Sequence, residues 1–474
     1  MKVLYAVSEA KPFIASGGLG DVAGSLPAAL RLRLIGCRVV LPLYDGIPQK
    51  YKDNMKFITH ITVPVSWRRQ YCGIFESKLN GVIYYFIDNQ YYFKRQGIYG
   101  HYDDAERFAF FSRAVLEIIP YIDFKPDVIN CNDWQTALVP VYYSRYYATR
   151  EGFENIKTVF TIHNIQYQGK YGHEVLGDVA GFAEEDAPLL ENDGCVNFMK
   201  GAIECANAVT TVSPTYANEI LDPWYAFGLD SILSERKWKL HGILNGIDTV
   251  TKDPAADPAL PAHFSAEEPE NKAVCKASLQ KELGLPENPD VPLVAMVSRL
   301  VAHKGFDLVK CVLEEFITTE NVQVAVLGTG EWQYETFFNE MAAKYPDKVG
   351  VRIAFNSELA SRMYAGSDIF LMPSKSEPCG LAQMFALRYG SIPVVRATGG
   401  LRDTVQDSGM NEGNGFVFED YNAHDMLHAL RRAVHGYEDK EGWAILRKRA
   451  MECDNSWGKS ANEYIRLYKN LIKQ

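Results

Sequence analysis

Several things are missing from this chain, and each absence removes a class of function. No apolar run approaches the ~18 residues that a membrane-spanning helix needs. The opening Met1-Lys-Val-Leu-Tyr-Ala-Val-Ser-Glu9 carries too short an apolar run for a signal peptide. The nine cysteines (Cys37, Cys72, Cys131, Cys195, Cys205, Cys275, Cys311, Cys379, Cys453) are odd in number and scattered, with no Cys-x-x-Cys pair. That pattern argues against a disulfide framework or a zinc site and for a reducing compartment. Positive charge is in deficit, with 49 Lys and Arg against 59 Asp and Glu, a net charge of −10. A general nucleic-acid surface or an anionic membrane partner is therefore disfavoured. There is no Asp-x-Asp to bridge a diphosphate through a metal, no Gly-x-Ser-x-Gly elbow and no His-Glu-x-x-His. Gly458-Lys-Ser460 looks like the end of a P-loop, but Cys453 stands where the first glycine is required. The expectation is a cytoplasmic protein without a metal or other cofactor.

What is present is an alternation of short apolar runs and helical patterns, the signature of parallel sheets covered by helices. At 474 residues the chain exceeds what one core usually supports. A first series of strands is predicted at Val3–Val7, Val39–Leu41, Val82–Ile87, Val128–Ile129, Thr158–Ile162 and Val209–Val212. A second runs through Leu293–Val297, Val322–Leu327, Val351–Ile353, Ile369–Met372, Ile392–Val395 and Phe416–Phe418. The Pro-, Ala- and acid-rich stretch from Asp253 suits a surface connection between them. The fold class is thus α/β, with two doubly wound, Rossmann-like domains. The final segment places Tyr464, Leu467, Tyr468 and Leu471 on one helical face that must be buried on one of the two.

In such sheets ligands bind beyond the carboxyl ends of the strands, so the residues just after each apolar run are the site candidates. After Ile369–Met372 comes Glu377-Pro-Cys379-Gly380-Leu381, a carboxylate in a tight turn ahead of a helix. After Leu293–Val297 come Arg299 and Lys304, two cations on one loop, as a diphosphate needs. Thr398-Gly399-Gly400 marks a further turn. In the first half, Gly17-Gly18-Leu-Gly20-Asp21 opens a helix and offers backbone N–H groups to a phosphate or sugar. A dinucleotide fingerprint there fits poorly, because the glycines come late and no acid caps the second strand. Asn132-Asp133-Trp134 and His163-Asn164 also follow strands, and Asn245-Gly246 sits at the domain junction. Tyr84, Tyr85, Tyr91, Tyr92, Phe93, Tyr99 and Tyr102 crowd one region; Tyr99 beside Gly100 is the foremost candidate for stacking on a sugar ring.

Taken together these motifs resemble the bacterial glycogen synthase and plant starch synthase family. The match runs in order through Ser16-Gly-Gly-Leu-Gly-Asp21, Tyr99-Gly100, Asn132-Asp-Trp134, His163-Asn164, Thr211-Val-Ser-Pro214 and Gly242-Ile-Leu-Asn-Gly-Ile-Asp248. It continues through Ser298-Arg-Leu300, Lys304-Gly305, Glu377-Pro-Cys-Gly-Leu381, Arg388-Tyr-Gly390 and Thr398-Gly-Gly-Leu401. The resemblance implies a GT-B glycosyltransferase with its active site in the cleft between the two domains. It implies an acceptor-side domain over 1–241, a donor-nucleotide domain over 242–455, and a terminal helix over 456–474 that returns to the first domain. The implied reaction is retaining transfer of glucose from ADP-glucose to the non-reducing end of an α-1,4-glucan, without metal. His163, Arg299, Lys304 and Glu377 would be catalytic. Gly17, Gly18, Asp21, Asn245, Gly246, Phe355, Cys379, Gly380, Leu381, Thr398, Gly399 and Gly400 would hold the donor, with Phe355 against the adenine. Tyr99, Asp133, Trp134 and Asn164 would contact acceptor or sugar.

Four positions depart from the family pattern: Ala15 replaces a lysine, Ala382 a threonine, Lys252-Asp253-Pro254 a Trp-Asn-Pro, and Ala226-Phe-Gly228-Leu229 a Gly-x-Gly-Leu loop. They motivate a rival reading, a weakened paralogue that binds glucan or regulates. A same-class rival would use UDP-glucose or make a small glucoside. Oligomeric state is not legible in the sequence.

Overall fold

The computed structural model describes residues 1–409 and 412–473. The chain divides into two compact units, Met1–Gly246 with Trp457–Gln474, and Ile247–Ser456.

The strands of the first unit are β1 (Lys2–Ala6), β2 (Gly36–Pro42), β3 (Lys56–Val65), β4 (Arg68–Leu79), β5 (Val82–Asp88), β6 (Val128–Asn132), β7 (Lys157–Ile162), β8 (Lys170–Tyr171), β9 (Glu191–Asn192), β10 (Cys195–Asn197), β11 (Ala208–Thr211) and β12 (Leu240–Gly242). Nine of them form one sheet in the order β12-β11-β7-β6-β1-β2-β5-β4-β3. It is parallel from β12 to β5 and antiparallel where β4 and β3 extend it. β8, β10 and β9 make a small separate sheet. β1 lies at the topological switch point, with β2 on one side and β6 on the other. The crevice at the carboxyl ends of β1 and β6 is where such a sheet receives a ligand.

Each expected apolar run is a strand, with boundaries shifted by up to three residues. The hairpin β3–β4 was not anticipated. Its residues are mostly half-buried or exposed, with Lys56, Pro64, Arg68 and Arg69 interrupting the apolar pattern. Being antiparallel and wet on one side, it shows no continuous apolar run.

The second unit holds β13 (Leu293–Val297), β14 (Gln323–Gly328), β15 (Val349–Ile353), β16 (Ile369–Met372), β17 (Ile392–Arg396) and β18 (Phe416–Phe418). They form an all-parallel sheet in the order β15-β14-β13-β16-β17-β18, so the switch point falls between β13 and β16. Both faces are covered: Val294 and Met296 pack into one apolar layer, Leu293 and Ala295 into the other. This two-sided burial is why β13 and β16 read as unbroken apolar runs.

The last helix, Trp457–Lys473, packs on the helix Gly18–Leu32. Tyr464, Leu467, Tyr468 and Leu471 are all buried. Ser460 Oγ donates to the Leu244 carbonyl. Among the described residues no helix is long and apolar enough to cross a membrane.

Candidate active site

In the first unit the chain leaves β1 at Val7 and reaches Glu9, which is 2% exposed. The Glu9 carboxylate closes the glycine-rich loop upon itself. Oε2 accepts from the Ser16 backbone N–H at 2.7 Å and from Ser16 Oγ at 2.6 Å, and Oε1 accepts from the Gly20 N–H at 3.1 Å. Burial raises its pKa, and these hydrogen bonds to the charged form oppose the rise. The loop feeds the helix Gly18–Leu32. A Cβ on Gly17 or Gly18 would meet nothing within 4 Å, so the backbone of this pair faces open space. Asp21 pairs with Lys11, Nζ to Oδ1 at 2.6 Å. Lys11 thus brings a cation to the loop in which Ala15 supplies none.

The ends of β6 and β7 are laced together beside that loop's strand. Asp133 has φ +56° and ψ 179°, a region that L-residues rarely occupy. Its N–H donates to the Thr161 carbonyl at 2.9 Å. Its Oδ1 accepts from the His163 N–H at 2.7 Å. The Asp133 carboxylate therefore bridges to the next strand instead of capping its own helix, and burial pushes its pKa up to about 7.

Asn132 Nδ2 donates to the carbonyls of Ala6 and Asn130 at 2.9 and 3.3 Å, which can only accept. That fixes the amide so that Oδ1 faces His163 Nε2 at 2.9 Å. His163 Nε2 must then carry the proton, leaving Nδ1 as a free acceptor. Burial drops the imidazole pKa to about 3, so the ring is neutral. Neutral His163 can receive a hydroxyl proton in a hydrogen bond but cannot serve as a cation.

Other first-unit candidates are placed as follows. The Tyr99 hydroxyl is 2.7 Å from Ser8 Oγ. Trp134 is buried, edge-on to Phe108 and packed where Gly169 has no side chain. It is a wall, not an open stacking surface. Asn164 Oδ1 accepts from the Gln166 N–H at 3.0 Å. Asn245 is 5% exposed, and its Oδ1 has no partner among the described residues.

In the second unit the switch point brings four residues to one sheet edge. Lys304 follows β13 and lies 2.7 Å, Nζ to Oε2, from Glu377, which follows β16. Ser374 Oγ, fully buried, donates to the same Glu377 oxygen at 2.9 Å. Arg299 is exposed on the β13 loop, with no side-chain partner among the described residues. Thr398-Gly399-Gly400 packs beneath this turn. A Cβ on Gly399 would fall 1.9 Å from the Glu377 carbonyl oxygen, and Gly399 has φ +44°. The Gly400 N–H donates to that carbonyl at 3.1 Å. These glycines are needed to let the backbone of Glu377–Cys379 lie on them. Cys379 is 5% exposed, and Gly380 turns with φ +72°. Phe355 is 97% exposed, available to stack on a planar ring.

Of the departures noted in the sequence, Ala226 is buried, Lys252 Nζ donates to Ser361 Oγ at 3.2 Å, and Asp253 pairs with Arg388 at 3.1 Å. Ala382 begins the helix Ala382–Arg388. The residues that sequence reasoning missed are Glu9, Lys11 and Ser374. Each acts through another residue, and none stands in a patterned motif.

Two family models match the chain: the starch synthase catalytic domain over residues 2–235, and glycosyl transferases group 1 over residues 279–448. The glycogen synthase of Geobacillus thermodenitrificans is 53% identical over 478 aligned positions, covering all of this chain and 98% of that protein. That of Geobacillus stearothermophilus is likewise 53% identical, with the same coverage. Among solved structures, the catalytic domain of starch synthase IV from Arabidopsis thaliana, bound to ADP and acarbose, superposes with a TM-score of 0.92 at 36% identity. That alignment covers 100% of this chain and 99% of the other.

Proposed function

Because this chain belongs to the family of bacterial glycogen synthases and starch synthases, we propose that it is a glycogen synthase acting in the cytoplasm. It transfers glucose from ADP-glucose to the non-reducing end of an α-1,4-glucan, with retention and release of ADP. The observation that carries the donor assignment is the pair of cations on the loop after β13, Arg299 exposed and Lys304 held by Glu377, in a chain whose net charge is −10.

Breaking the bond between a sugar and a diphosphate builds negative charge on the leaving group. Preorganised cations aimed at that group stabilise the transition state more than the ground state. Arg299 offers a planar fork of donors and Lys304 a point charge. Charge neutralisation in this reading falls to these side chains and needs no metal. Phe355 offers its ring to the adenine, and Gly17–Gly18 offer backbone N–H groups to phosphate oxygens. Neutral His163, with Nδ1 as acceptor, suits a hydrogen bond from a sugar hydroxyl close to the reacting carbon.

Glu377 already serves Lys304 and Ser374 with one oxygen. A carboxylate so engaged orients groups around the sugar and is poorly prepared to attack it. Front-face substitution, in which the departing phosphate takes the acceptor hydroxyl proton, therefore fits better than a covalent glucosyl intermediate.

The test is ADP release from ADP-glucose and, separately, UDP release from UDP-glucose, each with glycogen as acceptor. ADP-glucose should be strongly preferred. A preference for UDP-glucose would overturn the donor assignment, and binding of glycogen without release of either nucleotide would overturn the enzyme reading.

A further inference from the structure

Every carbonyl of the turn from Glu377 to Leu381 is bonded into the body of the second unit. Those of Glu377 and Pro378 accept from the Gly400 N–H at 3.1 and 3.2 Å, and that of Leu381 accepts from the Phe385 N–H at 2.9 Å. The two between them, on Cys379 and Gly380, are held by a single side chain. Gln383 Nε2 donates to them at 3.1 and 3.0 Å. Gln383 lies in the helix Ala382–Arg388 and is fully buried.

The orientation of this amide is fixed by its neighbours. Both carbonyls can only accept, so the NH2 end must face them. The same nitrogen lies 3.1 Å from Thr404 Oγ1, whose own proton goes to the Gly400 carbonyl at 2.6 Å. Gln383 Oε1 is left beside Gly380, where a Cβ would fall 2.5 Å from it, and it has no partner among the described residues. A buried acceptor without a donor is destabilising, and an apolar side chain of the same size would fill this space without one. What the amide supplies, and an apolar side chain cannot, is a pair of N–H groups directed at two successive carbonyls.

That pairing sets the direction of two backbone donors. In a trans peptide the C=O and N–H point to opposite sides. Drawing the Cys379 carbonyl inward turns the Gly380 N–H outward, and drawing the Gly380 carbonyl inward turns the Leu381 N–H outward. Neither N–H has a hydrogen-bond partner among the described residues. Gly380, at φ +72°, gives the backbone the bend that brings both carbonyls to one amide. Successive N–H groups turned to the same side favour an anionic oxygen, and donors fixed beforehand support charge as it develops. We propose that Gln383 is a positioning residue of the donor site, which keeps the N–H groups of Gly380 and Leu381 turned together toward a phosphate oxygen of the sugar nucleotide. The role rests on the glycogen synthase reading and adds to that site a residue that touches no substrate.

Gln383→Met nearly preserves length and volume and removes both donors. With rates normalised to folded protein, kcat/KM for ADP-glucose should fall at least about tenfold, and the Ki of ADP as an inhibitor should rise in parallel. The Ki of adenosine, which lacks the phosphates, and KM for glycogen should stay within about twofold of wild type. A wild-type kcat/KM for ADP-glucose, even with a lowered Tm, would reduce Gln383 to packing and overturn the proposal. An adenosine Ki that rises as far as that of ADP would overturn it too, since the whole site would then have relaxed. Should Gln383→Met fail to fold, Gln383→Glu carries the comparison. A carboxyl there has at most one proton for two carbonyls, so the same selective loss should appear, and its absence would equally overturn the role. The two readings fail differently. A wild type that releases no ADP sinks the enzyme, whereas an active wild type with indifferent Gln383 variants sinks only the positioning.

Discussion

Lys304 and Glu377 come from loops after two adjacent strands, and Nζ lies 2.7 Å from Oε2, with Ser374 Oγ on the same oxygen at 2.9 Å. Glu377 is 7% exposed, so these two partners supply hydrogen bonds that solvent scarcely can. Removing one partner of a buried pair costs ~3–5 kcal/mol, because the other charge is stranded. Lys304→Ala should therefore lower kcat/KM by at least about a hundredfold, in the range found for loss of a transition-state donor. The double variant Lys304→Ala/Glu377→Gln should be markedly less impaired than the product of the single effects. Multiplicative losses in steady-state kinetics would show that the two act separately. A glucosyl adduct on Glu377, found by mass spectrometry, would reverse its assignment as an orienting group.

The Glu9 carboxylate holds Ser16 and Gly20 with three hydrogen bonds. Glu9→Gln preserves volume but presents an NH2 to the Ser16 N–H and hydroxyl, setting donors against donors. Each lost charge-assisted bond is worth ~1.5–3 kcal/mol. The glycine loop should open, raising KM for ADP-glucose about tenfold or more while kcat falls less. Hydrogen exchange in a peptide covering residues 10–24 should accelerate in the same variant. Wild-type exchange and wild-type KM would mean that the loop is held by other contacts.

The sheets were legible in the sequence wherever burial is two-sided, as at β13 and β16, because such strands are continuous apolar runs. Arg299, Lys304 and Glu377 were legible for the same reason, since each follows a readable strand. The pairing of Lys304 with Glu377 was not, because it depends on β13 and β16 being neighbours in a sheet whose order the sequence does not state. Glu9 gave no signal: a lone acid after a strand is ordinary until its three donors are seen. The positive φ of Asp133 is equally silent, since only the geometry that ties its carboxylate to His163 requires it. Trp134 reads in sequence as part of a polar cluster after a strand, and its packing against Phe108 and the bare Gly169 is visible only in the fold.

Asp133 and His163 pull stability in opposite directions with pH. The folded Asp133 holds its proton up to about 7, against an ordinary 3.8. Between those values the folded state binds more protons than the unfolded, so this group makes stability fall as pH rises. The folded His163 refuses a proton down to about 3, against an ordinary 6.5. Between those values the unfolded state binds more, so this group makes stability rise with pH. The two oppose each other from 3.8 to 6.5. Relative to the wild type, Asp133→Asn should therefore tilt the stability profile toward a gain with rising pH across that window. His163→Gln should tilt it toward a loss. Urea denaturation at pH steps of half a unit would check both, and parallel profiles for the three proteins would contradict the assignment.

Tyr468 on the terminal helix donates its hydroxyl to Asn130 Oδ1 at 2.7 Å, and both residues are fully buried. Asn130 Nδ2 is engaged with Thr161 Oγ1 at 2.9 Å, so the amide cannot turn to compensate. Tyr468→Phe keeps the ring and strands one buried acceptor, a loss of ~1–3 kcal/mol. For a unit of this size that lowers Tm by roughly 2–4 °C per kcal/mol. The matching change Asn130→Ala in the Tyr468→Phe background should add less than it does in the wild type, because the bond is already gone. Calorimetry of the four proteins measures the coupling directly. Fully additive shifts in Tm would mean that the Tyr468–Asn130 bond does not help hold the last helix to the first unit.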